Sequence, residues 1–423
     1  MNIYFSGIGG VGIGPLAEIA RDAGYGIQGS DAMENLVTEE LKNSGVRVST
    51  DQSGDFLESC HRDQPIDWFV HTAALPNDHA ELVKARALGI RTAKRDELLN
   101  EIIRDKGLKL IAVAGTHGKT TTTGMMVWTM QQLGIPVSYS VGTTLSFGPS
   151  GMFDPKSKYF VYECDEFDRN FLHFKPYLSL ITSIDYDHPD TYPTISQYSQ
   201  AFNDFLSLSD HVIMWQHDTA IGINPPARAW VLQDQESMSF QLAGAHNRAN
   251  ATLVAKAIEY MSATAAIRPT SPEEINQAVN IFPGTDRRFE RLSENLYSDY
   301  GHHPAEIAAT LQMARELSDT VVLVYQPHQN TRQHEIRDQY SDCFEQASTV
   351  YWLPTYLSRE NTELEILSPQ QLAENLHNKD DVRFAEMNDQ LWQTIETHLA
   401  EGHLVLCMGA GSIDAWIRKH LAS

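Results

Sequence analysis

Short apolar runs alternate with amphipathic stretches along almost the whole chain, beginning with Asn2 to Ser6 and then Pro15 to Ala23. A run too short for a helix, followed by a stretch with one apolar face, is the pattern of strand, turn and helix repeated through a parallel sheet. The fold class this predicts is α/β. Further strands are expected at Asp67 to Thr72, Leu108 to Ala114, Tyr159 to Cys164, Leu178 to Ile184, Val321 to Tyr325 and Leu404 to Met408. Most are apolar without alternation, which suits strands covered on both faces. The rhythm breaks at the charged segment Arg104 to Lys109 and again around Phe282, Pro283 and Gly284. Such breaks are where domains join, so three domains are expected, at 1–106, 107–283 and 284–423. A chain of 423 residues accommodates that number.

With 42% hydrophobic and 21% charged residues, the chain reads as globular throughout. Its formal net charge of -23 argues against nucleic acid as a partner, because neutralising a phosphate backbone takes an excess of Lys and Arg on one face. A phosphate ligand therefore has to be bound locally. The four cysteines, Cys60, Cys164, Cys343 and Cys407, form no C-x-x-C pair, so neither a zinc knuckle nor a disulfide framework is expected. The apolar run Ile3 to Phe5 stops at Gly7, with no basic segment before it and no stretch long enough to cross a bilayer. These features predict a cytoplasmic protein with no membrane partner.

Two glycine-rich loops change the picture. Gly7-Ile8-Gly9-Gly10-Val11-Gly12 follows the first strand directly, and Gly29-Ser30-Asp31 comes about twenty residues later. Glycines there let backbone approach a pyrophosphate at a helix N-terminus, and an acidic residue after the second strand can take a ribose hydroxyl. A plain tight turn would share this pattern. The second loop, Ala114-Gly115-Thr116-His117-Gly118-Lys119-Thr120-Thr121, lies between an apolar strand and a helix. Backbone amides, a Lys for the β- and γ-phosphates and a hydroxyl for Mg²⁺ can there wrap a triphosphate. Val113 stands where a strict Walker A has Gly, so the loop alone leaves a kinase or motor ATPase open. Downstream, Glu163-Cys164-Asp165-Glu166-Phe167-Asp168 and Ser183-Ile184-Asp185-Tyr186-Asp187-His188-Pro189-Asp190 each close a predicted strand. Carboxylates and an imidazole at neighbouring strand ends are placed to share a divalent ion, although Mg²⁺ takes only one or two protein carboxylates.

The order G-T-H-G-K-T-T, E-C-D-E-F-D, D-H-P-D-T-Y and then Gly244-Ala245-His246-Asn247-Arg248-Ala249-Asn250 resembles that of the Mur ligases of bacterial cell-wall synthesis. Phe282-Pro283-Gly284-Thr285-Asp286-Arg287-Arg288-Phe289, Asp299-Tyr300-Gly301-His302-His303-Pro304, Tyr325-Gln326-Pro327-His328 and Met408-Gly409-Ala410-Gly411 extend the likeness over the whole chain. The resemblance implies a Rossmann-like first domain for a UDP-sugar, a central P-loop ATPase-like domain and a Rossmann-like C-terminal domain for an amino acid. Its arginine pair and D-Y-G-H-H-P run point to the branch that adds L-alanine to UDP-N-acetylmuramate. A recycling ligase that adds a ready-made tripeptide is the nearest alternative, and a non-catalytic UDP-sugar or ATP sensor a remoter one.

Carried over residue by residue, the likeness implies that Gly115, Thr116, His117, Gly118, Lys119, Thr120 and Thr121 hold ATP, and that Thr120, Glu163 and His188 hold Mg²⁺. Asn247 would contact the nucleotide, Arg288 would reach the phosphates and Asp299 would lie near the ATP ribose. Gly9, Gly10, Val11, Gly12 and Asp31 would hold UDP, and His302 with Arg332 would meet the amino acid. Gln329 stands where many alanine-adding relatives carry Arg, which leaves the amino donor open. The implied reaction activates the muramyl carboxylate as an acyl phosphate, which an amine then attacks. Lys119, Glu163, His188 and His302 are the expected catalytic residues, with His302 as acceptor of the amine's proton. The protein is expected as a monomer or homodimer.

Overall fold

The computed structural model describes residues 1–422 except 73, 74, 189, 190 and 359. Pro189 and Asp190 of the D-H-P-D-T-Y run therefore lie outside the described residues. The chain forms two compact units, one of residues 1–236 and 253–282, the other of 237–252 and 283–423. The segment 237–252 thus belongs with the C-terminal part, whereas the sequence expectation had it in the central domain.

The first unit contains two sheets. One is wholly parallel, with strands β1 (Asn2–Ser6), β2 (Gly26–Ser30), β3 (Arg47–Ser49), β4 (Trp68–His71) and β5 (Arg91–Lys94) in the order β3-β2-β1-β4-β5. The order reverses at β1, so the crevice at the carboxyl end of β1 is where such a sheet takes a ligand. The Gly7 to Gly12 loop sits there.

The other sheet comprises β6 (Lys109–Ala114), β7 (Ser138–Ser140), β8 (Gly151–Met152), β9 (Tyr159–Glu163), β10 (Leu178–Ile181), β11 (Val212–Trp215) and β12 (Ala229–Leu232). Its order is β12-β11-β10-β6-β9-β7-β8, and only the β7–β8 pair is antiparallel among these pairings. β6 is central, with β9 and β10 on either side. The carboxyl ends of these three strands carry the phosphate loop, the acidic motif and the Asp-His motif. One continuous core runs through both sheets, from Ile3 and Phe5 to Ala112, Phe160 and Phe171.

The second unit holds β13 (Glu290–Ser293), β14 (Leu296–Asp299), β15 (Val321–Tyr325), β16 (Thr349–Trp352), β17 (Val382–Phe384) and β18 (Leu404–Met408), ordered β13-β14-β18-β15-β16-β17. Val321, Leu323 and Tyr325 face one core, and Val322 and Val324 face the other. Burial on both faces is why β15 is an unbroken apolar run. All four cysteines are free and buried. Among the described residues no helix is long and apolar enough to cross a membrane.

Candidate active site

β6 is buried from Leu110 to Ala114 and runs straight into the phosphate loop. Gly115 has φ +137°, and a Cβ there would lie 2.4 Å from Thr182 Oγ1 and 2.6 Å from the Ser183 carbonyl oxygen. Only glycine fits so close to β10. The loop is stitched to that strand's end by Thr116 N–H donating to Ser183 O at 2.8 Å and His117 N–H to Ser183 Oγ at 3.0 Å. Gly118, at φ +81°, turns the chain into the helix Lys119–Gln132. The loop thus leads directly into a helix N-terminus, the arrangement that suits an anion. Thr121 follows on that helix.

Lys119 Nζ donates to Gly115 O at 2.6 Å and to the fully buried Glu166 Oε2 at 2.8 Å. Burial works against the Lys119 charge, but Glu166 and Asp165 outweigh it and raise its pKa. Burial likewise pushes the Glu166 carboxyl up, and Lys119 with His188 outweigh that, leaving it below the ordinary carboxylate range. Glu163, at the end of β9, accepts from Thr120 Oγ1 at 2.9 Å and from Gly142 N–H at 3.1 Å. A Cβ at Gly142 would stand 2.7 Å from that carboxylate. His188, at φ +57°, turns Nε2 to 3.6 Å from Glu166 Oε1 and 3.7 Å from Asp187 Oδ2. Despite burial, these carboxylates raise its pKa.

The structure thus brings Lys119, Thr120 and Glu163 together, and it groups His188 with Asp165 and Glu166, whose ligand atoms converge within 4.8 Å. The acidic motif read from the sequence contains both of those carboxylates, although the resemblance singles out Glu163 alone from it as a metal ligand. Their crowding on one strand end was the signal available.

At the first loop, Gly9 N–H donates to Asp31 Oδ2 at 2.8 Å and Gly9 O accepts from Asn35 Nδ2 at 3.1 Å. A Cβ on Gly9 would lie 2.6 Å from Thr38 Cγ2. Asp31 therefore braces the loop, and its other oxygen takes Met33 N–H at 3.3 Å. Gly10 N–H closes on Gly7 O, while Val11 is 90% exposed. Beside Gly12 lies the Arg95 guanidinium, 3.5 Å from where a Cβ would be. Arg95, which the sequence reading did not single out, brings a cation to a loop suited to pyrophosphate.

In the second unit, Asp299 accepts from Phe289 N–H at 2.7 Å and Gly301 N–H at 2.6 Å, and burial pushes its carboxyl up to about 6. Each oxygen takes one backbone N–H, so the carboxylate shapes the loop around it. Arg287 and Arg288 lie over the Tyr300 ring, 4.6 and 5.2 Å from its centroid, and Arg288 reaches Glu306 at 3.9 Å. Asn247 donates to Ala243 O at 3.1 Å.

His302 Nε2 meets Arg332 Nη1. Burial and Arg332 hold the imidazole at about 4. So weak a base is ill suited to the proton-accepting role expected of it, because burial disfavours the imidazolium more than Glu306 favours it. Gln329 precedes the Arg332 helix, Asn330–Ile336, at φ +59°.

The comparisons with known proteins agree along the chain. Residues 2–106 match the Mur ligase family, catalytic domain; 113–230 the Mur ligase middle domain; and 287–411 the Mur ligase, glutamate ligase domain. A UDP-N-acetylmuramate--L-alanine ligase from Jannaschia sp. is 31% identical over 98% of this chain and 94% of its own length. The chain belongs to the Mur ligase family.

Two solved structures show the fold of this Mur ligase at whole-chain scale. A UDP-N-acetylmuramate-alanine ligase from Thermotoga maritima superposes with a TM-score of 0.74 at 22% identity, covering 100% of this chain and 98% of that one. A murein peptide ligase from Psychrobacter arcticus reaches 0.64 at 22% identity, with the same coverage.

Proposed function

We propose that this Mur ligase joins L-alanine to the carboxylate of UDP-N-acetylmuramate in peptidoglycan precursor synthesis, converting ATP to ADP and phosphate in the cytoplasm. The observation that carries the reading is the meeting of Lys119, Thr120, Glu163, Asp165, Glu166 and His188 at the ends of three adjacent parallel strands, in a chain whose near-full-length relatives are alanine ligases.

The donor set fits Mg²⁺. Thr120 and Glu163 offer hard oxygens, and buried Glu166 Oε1 makes no hydrogen bond, its near neighbour His188 Nε2 standing off at 3.6 Å, so a cation could join it there. Thr120, Glu163 and the Asp165, Glu166 and His188 group would hold the metal. When bound, Mg²⁺ supplies charge to offset that of the transferring phosphoryl group.

ATP binding has to draw Lys119 away from Glu166 and onto the β- and γ-phosphates. The muramyl carboxylate oxygen attacks the γ-phosphorus, ADP leaves, and an acyl phosphate forms; the neutral amine then attacks its carbonyl carbon, the C–O bond to phosphate breaks, and the departing phosphate takes up the proton that the nitrogen loses. Gly9, Gly10, Val11 and Gly12 would hold the UDP pyrophosphate, with Asp31 bracing them. Arg332 would take the amino-acid carboxylate, and His302 would orient that guanidinium.

Gln329 favours a second reading, the tripeptide-adding ligase, because a missing guanidinium removes a charge-assisted contact to a small amino acid's carboxylate. Phosphate release from ATP in the presence of UDP-N-acetylmuramate decides between them, comparing L-alanine, L-serine, glycine and the tripeptide, with Lys119→Ala as control. Release that needs both the sugar nucleotide and L-alanine supports the proposal; release that needs the tripeptide replaces it; no stimulation by any acceptor overturns both.

A further inference from the structure

The helix Asp389–Ala400 of the second unit ends in a tight turn built from His398-Leu399-Ala400-Glu401-Gly402-His403. Gly402 takes φ +81°, His403 N–H donates to His398 O at 3.0 Å, and Gly402 N–H donates to Leu399 O at 3.0 Å. This pair of bonds is the Schellman termination, which brings the side chains three places before and two places after the helix end into contact. Apolar residues usually fill those two places. Here both are histidines, and they meet Nδ1 to Nδ1 at 3.1 Å. Glu401, between them, sets Oε2 at 3.8 Å from His398 Nδ1 and 3.4 Å from His403 Nδ1.

Ligand atoms bound about 2.1 Å from a tetrahedral zinc ion lie about 3.4 Å from one another. The three distances bracket that edge, so the three atoms already form one face of a tetrahedron. The imidazoles are mostly covered, with side-chain exposures of 19% and 28%, while Glu401 is open to solvent. Tyr351 of β16 places its hydroxyl 3.0 Å from His398 Nε2. An imidazole bound through Nδ1 carries its proton on Nε2, and Tyr351 Oη is positioned to accept it, the outer contact that fixes ring orientation at metal sites. The helix C-terminus adds negative potential in the same direction.

We propose that His398, Glu401 and His403 form a binding site for a divalent transition ion, best suited to Zn²⁺, with its fourth position open to solvent or to a further donor. Two imidazoles and one carboxylate select such ions over Mg²⁺, which prefers an all-oxygen octahedron. The site precedes β18, whose other end leads to Gly409, where Arg287 Nη2 donates to the carbonyl. Five residues of strand, about 16 Å, separate the two ends. The ion therefore ties the helix to the sheet away from Arg287, Arg288 and His302.

The test uses full-length, metal-stripped protein in excess Mg²⁺, titrated with Zn²⁺ by calorimetry and with Co²⁺ by visible absorption. Wild type should bind one more Zn²⁺ per chain than His403→Gln, and should give the intense visible bands of four-coordinate Co²⁺ that the variant lacks. Tyr351→Phe should weaken this site about tenfold without abolishing it. Zn²⁺ should raise the thermal midpoint of wild type and not that of His403→Gln. If His403→Gln misfolds by circular dichroism, Glu401→Gln replaces it, since its exposed carboxylate is not part of the packing. Equal Zn²⁺ stoichiometry and equal Co²⁺ spectra in wild type and variant would mean an ordinary histidine pair and overturn the proposal.

Discussion

Lys119 and Glu166 show how a catalytic residue can also be structural. Glu166 is fully buried, and Lys119 is its closest cation, at 2.8 Å. Removing one member of a buried pair strands the other charge, at a cost of about 3 kcal/mol. Lys119→Ala should therefore lose phosphate release by at least about 10²-fold and also unfold at lower denaturant. Adding Glu166→Gln should restore much of the stability and none of the activity. A denaturation series on the two variants checks this; equal midpoints for the single and double variants would show that the pair does not hold the loop. Gly115→Ala is expected to fail differently, because its Cβ would collide with Thr182 and Ser183 and its φ of +137° is strained for alanine. Nucleotide affinity, measured by calorimetry, should fall more than tenfold with the fold retained. Lys119 and Thr120 were legible in the sequence because a phosphate loop fixes their spacing from its glycines. Glu166 was not, because which carboxylate turns inward depends on the backbone after β9, where Asp168 and Arg169 both take positive φ.

Among the elements, legibility mostly followed burial; the exception is β11, a four-residue run buried throughout that the sequence pattern did not single out. β6, β9, β10, β15 and β18 are covered on both faces and stood out as apolar runs. β2 reads Gly-Ile-Gln-Gly-Ser, and β3, β5 and β17 are short strands with exposed positions, so no apolar run marks them. The segment 237–252 was likewise hidden, since its place rests on a few polar contacts. Glu316 accepts from Gly244 N–H at 3.0 Å and pairs with Arg248 through both oxygens at 2.8 Å, while Gln312 takes Ala245 N–H at 2.9 Å. Arg248, Gln312 and the Gly244 amide hold the Glu316 carboxyl down at about 2. A depressed acid contributes stability above its ordinary pKa and loses it as pH falls towards the folded value, so this clamp weakens from about pH 4.5 downward. Glu316→Gln should cost about 1 kcal/mol, discounted for partial exposure. Faster hydrogen exchange at the Gly244 and Ala245 amides, with the β15 amides unchanged, is the expected reading; unchanged exchange at both would remove Glu316 from this role.

At the scale of the whole molecule, the two units should answer acid with opposite signs. In the second unit, burial pushes His246 and His302 down to about 4 and also lowers His328. A histidine depressed in the folded state is stabilising above its unfolded pKa near 6.5, and that contribution is lost as pH falls towards 4. Asp299, raised to about 6 by burial, opposes them, because the folded state then takes up a proton before the unfolded chain does. With His398 also lowered by burial, four histidines against one aspartate leave a net loss on the order of 2 kcal/mol between pH 6.5 and 4.5. In the first unit the balance reverses. Asp218 is raised to about 6 by burial, Asp165 is raised by burial and Glu166, and the His188 pKa rises because its carboxylates outweigh burial. Each of these favours the folded state as pH falls through the same window; His211 runs against them, as do the depressed Glu166 and several exposed carboxylates, which act mainly towards the acid end of the window. Hydrogen exchange followed by mass spectrometry at pH 7 and pH 5, corrected for intrinsic rates, reads the two units separately. Protection of β15 and β18 should fall by at least about tenfold while that of β6 and β10 holds or rises. His302→Gln should shrink the change in the second unit and leave the first untouched. A parallel loss of protection in both units would mean that acid acts through net charge rather than through these buried groups.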